Sequence, residues 1–109
     1  MKIIISPAKS LDFENKASTS LHTEPRFLEA SEKLNKKLKT LSKKKLADLM
    51  KISDDLAALN YERNQEWKTP FTLENAKQAI YAFTGAVFQG IDVNSIDDKK
   101  LPLLQERLR

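Results

Sequence analysis

Residues 2–9 read Lys-Ile-Ile-Ile-Ser-Pro-Ala-Lys, a short apolar run that ends at a Ser-Pro pair. Ile3, Ile4 and Ile5 are β-branched, which favours a strand, and Pro7 has no backbone N–H to donate to a neighbouring strand. Because the run is apolar on both faces, it predicts a buried strand that needs other strands beside it. No second run of this kind follows. The sequence therefore predicts an α+β fold, with one buried N-terminal strand followed by several helices.

Helical periodicity follows the predicted strand. Apolar residues recur at spacings of three and four over residues 27–41, which predicts one helix with a single apolar face. Ser42 and Ser53 each stand directly before a further helical pattern, in the position of an N-cap. Thr72 and Gly85 are the predicted cap and stop of a fourth helix.

The composition narrows the class of protein. With 19 Lys and Arg against 15 Asp and Glu, the 109-residue chain carries a net charge of +4, a mild basic excess. It has no cysteine, which excludes a disulfide framework and a thiolate metal site and is typical of a cytoplasmic protein. No segment is long and apolar enough for a signal peptide or a membrane span. His22 is the one histidine, so with no cysteine we expect no metal site. We also expect no cofactor and, without an apolar span, no membrane partner.

The basic residues are concentrated in one stretch. Seven lysines and no acidic residue lie between residues 33 and 45. Such a block can neutralise the phosphates of nucleic acid, but a lysine-rich helix face also keeps small proteins soluble, and both interpretations stay open. Three of the lysines fall in the first turn of a predicted helix, where positive charge opposes the helix dipole, a placement that makes more sense beside a bound anion. The predicted nucleic-acid-binding residues are Lys36, Lys37, Lys43, Lys44, Lys45 and Lys51.

A second candidate site begins where the predicted strand ends. Lys9 is placed for a phosphate contact or for nucleophilic or base chemistry, and it is the candidate catalytic residue; the alternative is an exposed lysine after a strand. Ser6 is either a hydrogen-bonding partner at that site or a cap of the strand end. Asn60 and Arg63 lie three residues apart on one predicted helix face, which suits a polar site. For these two residues the alternative is a solvated face or an ion pair with Glu66.

Three segments of the chain together carry a family resemblance. They are Ser6-Pro-Ala-Lys-Ser-Leu-Asp12, then Leu49-Met-Lys-Ile-Ser-Asp-Asp-Leu-Ala-Ala-Leu-Asn60 with Arg63, and Asn75-Ala-Lys-Gln-Ala-Ile-Tyr-Ala-Phe-Thr-Gly-Ala-Val-Phe-Gln-Gly90. In order and spacing they resemble the bacterial peroxide stress protein YaaA family, and the match covers essentially the whole chain. Members of that family are more than twice as long. Residues 1–109 therefore look like the N-terminal portion of a longer protein, a single incomplete domain of a larger mixed α/β fold.

The resemblance implies a cytosolic protein of the response to hydrogen peroxide that protects DNA and is linked to limiting free iron. It also implies DNA binding, with weak sequence preference, through a basic cleft and a helix-hairpin-helix element. The predicted helix near residues 43–51, the break at Ser53 and the helix after it fit that element, whose turn amides would meet a phosphate. The chain departs from the usual pattern because no glycine occurs between Lys39 and Asn64.

Two other functions are compatible with the same residues. One is an enzyme of unknown reaction on a nucleotide-like or other anionic small molecule, with a pocket centred on Lys9 and including Arg63. The other is a helical interaction module without any site. The sequence determines neither the substrate of such an enzyme nor the oligomeric state.

Overall fold

The computed structural model describes residues 1–109, which form a helical protein. The chain divides into two compact units. Unit 1 contains Met1–Thr23 and Thr72–Arg109, and unit 2 contains the continuous segment Glu24–Phe71. The helices are α1 (Leu28–Lys39), α2 (Lys43–Met50), α3 (Asp54–Glu66), α4 (Ala79–Ala82), α5 (Ala86–Ile91) and α6 (Leu101–Arg107), with short 3-10 helices at Val93–Ser95 and Asp98–Lys100.

Unit 2 is built from α1, α2 and α3, and its helix starts confirm the two predicted serine caps. The Ser42 hydroxyl accepts a hydrogen bond from the Lys45 amide at 3.3 Å, and the Ser53 hydroxyl accepts one from the Leu56 amide at 3.4 Å. Helix α3 packs against both α1 and α2. The buried apolar side chains of the unit are Leu46, Ala47 and Ala57.

The turn between α2 and α3 separates two distinct helices, as the predicted break at Ser53 requires. Lys51 adopts the left-handed conformation with φ of 52°, and the Ile52 amide donates to the Ala47 carbonyl at 3.2 Å. This is the conformation that glycine adopts most readily at a helix end. Lys51 therefore takes the place of the glycine that the sequence lacks here.

Unit 1 combines α4, α5 and α6 with the irregular segment 1–23. Two isolated backbone pairings join the two chain segments of this unit. One is antiparallel, between Leu11 and Phe83, and the other is parallel, between Ile3 and Leu108. The side-chain amide of Gln78 adds two hydrogen bonds, each of 3.0 Å, to the carbonyls of Thr19 and Leu21. Unit 1 is therefore held by bonds between residues far apart in sequence.

The predicted buried N-terminal strand is absent, and the α+β class is wrong for this chain. The chain forms no sheet, because Ile3 makes only an isolated pairing and no second strand continues the ladder. Ile4 is 85% exposed, so the apolar run is not buried. The propensity of β-branched residues for strands depends on packing against cross-strand neighbours, which these helices and turns do not supply.

The predicted helix from Thr72 to Gly85 is wrong over most of its length. The Asn75 side chain accepts a hydrogen bond from the Thr72 amide at 2.8 Å, which makes a turn, and only Ala79–Ala82 is helical. Gly85, with φ of +114°, precedes α5 directly and thus opens a helix that the sequence pattern did not predict. The side chains of Lys77 and Gln78 form hydrogen bonds with carbonyls of residues 12–21, and these long-range bonds override the local helical pattern.

None of the helices combines the length and the apolar character that a membrane span requires.

Candidate functional site

The lysines of unit 2 divide into those with partners inside the unit and those without. The Lys39 ammonium donates to the Trp67 carbonyl at 3.0 Å. Lys43 lies 3.1 Å from a carboxylate oxygen of Glu62 and 5.2 Å from the centre of the Tyr61 ring. The other five lysines predicted to bind nucleic acid are exposed and form no ion pair within the unit. We call them the lysine surface: Lys36, Lys37, Lys44, Lys45 and Lys51.

The first turn of α2 concentrates positive charge at the positive end of a helix dipole. It consists of three consecutive lysines and contains no acidic residue. Of the three, only Lys43 has a carboxylate beside it, and that exposed pair contributes little to stability. Each uncompensated lysine at this end destabilises the helix by about 0.3–1 kcal/mol. An anion bound at this end would relieve the repulsion.

The start of α3 has the opposite charge. Asp54 and Asp55 occupy its first turn, where acidic side chains are favourable for the helix but repel a phosphate. The Ser53 hydroxyl already accepts from the Leu56 amide. The hairpin therefore presents α2, and not the first turn of α3, as its electropositive end.

Asn60 and Arg63 lie on α3 and are both half-buried. The Asn60 amide donates to the Leu56 carbonyl at 2.8 Å, so this side chain bonds to its own helix. Lys9 belongs to unit 1, whereas these two residues belong to unit 2.

An apolar groove of about 400 Å³ lies in unit 2 between α1 and residues 67–71. Trp67 and Phe71 meet there edge to face, with ring centres 5.5 Å apart. The buried side chain of Asn35 donates to the Asn64 carbonyl at 3.2 Å. The residues lining the groove are Pro25, Leu28, Ser31, Leu34, Asn35, Leu38, Asn64, Trp67 and Phe71, none of which is an acid, a base or a nucleophilic thiol.

In unit 1 the segment after Lys9 runs antiparallel to the segment before Gly85. The Thr84 amide donates to the Ser10 carbonyl at 3.1 Å, and the side-chain hydroxyls of the same two residues lie 2.6 Å apart. The Asp12 amide donates to the Ala82 carbonyl at 2.7 Å. The fold thus joins two of the segments that carry the family resemblance.

The charged pair of Lys77 and Asp12 stabilises this antiparallel arrangement of the two segments. The Lys77 ammonium lies 2.9 Å from the Asp12 carbonyl oxygen and 3.6 Å from a carboxylate oxygen of the same residue, and the Lys77 side chain is only 11% exposed. Hydrogen bonds from the backbone and the side chain of Asn15, with smaller contributions from the Glu14 amide and the Lys77 charge, lower the pKa of Asp12 to about 2. Sequence reasoning did not identify Lys77, although it lies in one of the quoted segments; its contact with Asp12 spans 65 residues and has no local signal.

Lys9 and Ser6 are both exposed. The pairing of Leu11 with Phe83 brings the segment that contains Lys9 close to Gly85. A Cβ atom built on Gly85 would lie 3.9 Å from the Cβ of Ala8, which shows how closely the two segments approach. Lys9 itself forms no hydrogen bond or ion pair. Ser6 follows Ile5, whose amide donates to the Arg109 carbonyl at 2.9 Å, and no hydrogen bond joins Ser6 to Lys9.

Comparison with known proteins gives a consistent result. A family model described as "Peroxide stress protein YaaA" matches residues 1–109. A "UPF0246 protein" of Flavobacterium johnsoniae is 54% identical over 109 residues, which are 100% of this chain and 43% of the relative. Proteins of the same designation from Alteromonas mediterranea and Neisseria meningitidis serogroup A are 48% and 43% identical, again over the whole chain and 42% of each relative. The chain spans less than half the length of these relatives.

Proposed function

We propose, since the chain belongs to the peroxide stress protein YaaA family, that it acts in the response to hydrogen peroxide by binding and protecting DNA. The DNA contact is the lysine surface of unit 2, and the helix-hairpin-helix element is α2, the turn at Lys51–Ser53 and α3. The proposal includes a cytoplasmic location and the limitation of free iron that the family resemblance implies. We assign no iron ligand, since no group of three or more His, Cys, Asp or Glu side chains is placed to hold a metal.

The observation that carries the proposal is the first turn of α2. Lys44 and Lys45 are exposed, have no acidic partner, and lie at the end of the helix where positive charge is least favourable. A lysine that serves only solubility would be placed at no electrostatic cost on the other helix end or in a loop. DNA phosphates would neutralise these charges and release counterions.

The rest of unit 2 supports the same interpretation. It contains eleven Lys and Arg against eight Asp and Glu, whereas unit 1 contains eight against seven. Lys36 and Lys37 on α1 and Lys51 in the hairpin turn extend the exposed charge beyond α2. Lysines that contact only the phosphate backbone bind without reading the bases, so we expect weak sequence preference.

A salt series with duplex DNA tests the proposal. We expect the double substitution Lys44→Ala with Lys45→Ala to weaken binding to all duplex sequences alike. The slope of log affinity against log salt should become shallower by about 2, one for each lost phosphate contact. Lys43 is left unchanged because its charge already faces the Glu62 carboxylate and the Tyr61 ring. Fluorescence anisotropy of labelled duplexes measures both quantities.

The matched control is Lys99→Ala with Lys100→Ala, which removes the same charge from a 3-10 helix of unit 1. It should leave the slope unchanged. Equal changes for both double variants would show that only net charge matters, and an unchanged slope for the α2 variant would overturn the proposal.

A second candidate function is favoured by the geometry of unit 1. Lys9 is exposed and forms no ion pair, and it precedes Ser10 on a segment whose position is fixed by the contact of Lys77 with Asp12. This arrangement supports an enzyme that acts on an anionic small molecule, with Lys9 as the residue that contacts it. Loss of turnover or of saturable small-molecule binding in Lys9→Ala, with DNA binding intact, would favour this candidate over the first.

A further inference from the structure

We infer that the apolar groove of unit 2 binds a mononucleotide whose base carries an amino group, as adenine and cytosine do. The volume of the groove, about 400 Å³, lies within the range of small-molecule sites. All of its lining residues belong to unit 2, and none of them belongs to the lysine surface. The inference is therefore independent of DNA binding by that surface and of the Lys9 segment in unit 1.

The aromatic rings of the groove suit a planar ligand. Trp67 and Phe71 both line it, and their rings meet edge to face, with planes inclined by 85°. Because the edge of one ring meets the face of the other, the pair leaves ring faces that it does not cover itself, and a base can stack on such a face. Leu34 also lines the groove and is 68% exposed, so the protein does not close the groove by itself.

One buried acceptor in the groove lacks a partner. Asn35 is 7% exposed, and its side-chain amide donates to the Asn64 carbonyl at 3.2 Å. The side-chain carbonyl oxygen of Asn35 accepts no hydrogen bond from the protein and is not sealed from solvent. A buried acceptor without a donor is costly, so this oxygen is satisfied only when a donor enters the groove. An apolar side chain of a protein partner has no such donor, whereas the amino group of a base does.

Two further polar groups belong to the same lining. The side-chain amide of Asn64 and the indole N–H of Trp67 form no hydrogen bond within the chain. A carboxamide presents a donor and an acceptor side by side. This pattern pairs with the amino group and the adjoining ring nitrogen of adenine or cytosine. The groove thus combines a stacking surface with polar groups that match an amino-bearing base.

Lys39 adds a positive charge next to the groove. It lies four residues after Asn35 on α1, so the two residues share one face of the helix. Its ammonium donates to the Trp67 carbonyl at 3.0 Å, and no carboxylate pairs with it. The ammonium keeps further N–H donors for the phosphate of a mononucleotide. A single cation matches one phosphate, which favours a mononucleotide over a nucleic acid strand.

Titration of the unsubstituted protein with AMP, CMP and UMP tests the inference. Trp67 is the one tryptophan of the chain, so quenching of its fluorescence reports on stacking in the groove. AMP and CMP should bind saturably, with a Kd below about 1 mM. UMP presents a carbonyl where CMP presents its amino group, so it should bind at least about fivefold more weakly. Cytidine, which lacks the phosphate, should also bind more weakly than CMP.

Substitutions show which side chains are responsible. Phe71→Leu removes a ring but keeps an apolar side chain, and it should weaken the binding of CMP about fivefold or more. Lys39→Met removes the charge at similar length and should abolish the preference for CMP over cytidine. Lys33→Met is the control of equal charge, since Lys33 is exposed on α1 two residues before Asn35 and lies on the opposite side of that helix. It should change affinity less than twofold, and circular dichroism confirms the fold of each variant.

Absence of saturable quenching by all three mononucleotides up to about 10 mM would overturn the inference, and so would equal affinities for CMP and UMP. Quenching by DNA but by no mononucleotide would assign the groove to a nucleic acid base and reject the small ligand. Equal effects of Lys39→Met and Lys33→Met would reject Lys39 as the phosphate contact. The DNA salt slope should stay unchanged in Phe71→Leu, so a failure of this inference is distinguishable from a failure of DNA binding.

Discussion

Unit 2 and unit 1 are stabilised by interactions of different range. Unit 2 is one continuous segment whose helix ends are set by bonds over three residues, such as those of Ser42 and Ser53. Unit 1 joins two segments separated by 48 intervening residues, Glu24–Phe71, through contacts such as Lys77 with Asp12 and Ser10 with Thr84. The difference shows why the two candidate sites differ in kind. A charged surface needs only local order, whereas a compact ligand site needs distant residues to be brought together.

The largest expected effect is at the core of unit 2. Leu46 is 1% exposed, so Leu46→Ala should reduce the free energy of unfolding by about 2–5 kcal/mol, the cost of lost burial plus a cavity. Chemical denaturation measures the change. Leu49→Ala, three residues further along the same helix and 64% exposed, is the control and should change stability by less than about 0.5 kcal/mol. Equal effects would mean that Leu46 is not the centre of this core.

The second largest effect is expected at Gly85 in unit 1. Gly85 has φ of 114° and ψ of 171°, a region that only glycine occupies readily, so Gly85→Ala should cost about 1–3 kcal/mol. The new Cβ meets only Ala8, at 3.9 Å, so backbone strain and not a clash is the cause. Thermal unfolding measures the loss.

Gly90 provides the matched comparison for this substitution. It lies inside α5 with open space around its Cα, so Gly90→Ala should raise stability by up to about 1 kcal/mol. Opposite signs for the two glycines would support the strained backbone geometry at Gly85. A neutral Gly85→Ala would contradict it.

A smaller effect concerns the hairpin turn of unit 2. Lys51→Gly should raise the free energy of unfolding by about 0.5–1 kcal/mol, because glycine adopts the left-handed conformation without the penalty of a Cβ. The same substitution removes one charge of the lysine surface, so the DNA salt slope should become shallower by about 1. A variant that is more stable and yet binds DNA less would separate the two roles of this residue. Lys68→Gly, outside the helices of the same unit, is a control that should not be stabilised.

The smallest effect is a pH dependence that only unit 1 provides. The hydrogen bonds from Asn15 lower the folded-state pKa of Asp12 from 3.8 to about 2, so the ionised carboxylate favours the folded state above pH 4. That contribution should disappear as the pH falls from about 4 to about 2. Asp12→Asn should therefore show a weaker loss of stability over this interval than the unsubstituted chain, as followed by denaturation at successive pH values. Parallel curves would show that the Asp12 carboxylate has no such role.

The sequence predicted the helical part of unit 2 well because the signals are local. A serine before a helical pattern finds its amide partner three residues on, and the spacing of apolar residues follows the helix itself. It predicted unit 1 poorly for the converse reason. The isoleucine run has strong strand propensity but no sheet of neighbouring strands to join. After Thr72, the side chains of Lys77 and Gln78 form hydrogen bonds with residues 65 and 59 positions earlier in the chain, and most of the segment forms no helix.

The sequence by itself determined the lysine concentration, the capping serines and the family membership, since each depends on residue type and spacing along one stretch of chain. Only the tertiary structure decided which lysines are free, because the partners of Lys39 and Lys43 come from the far end of unit 2. The tertiary structure alone also brought the Ser10 hydroxyl to the Thr84 hydroxyl and Ala8 close to Gly85. That arrangement is fixed by hydrogen bonds between segments more than 70 residues apart, for which no local pattern exists.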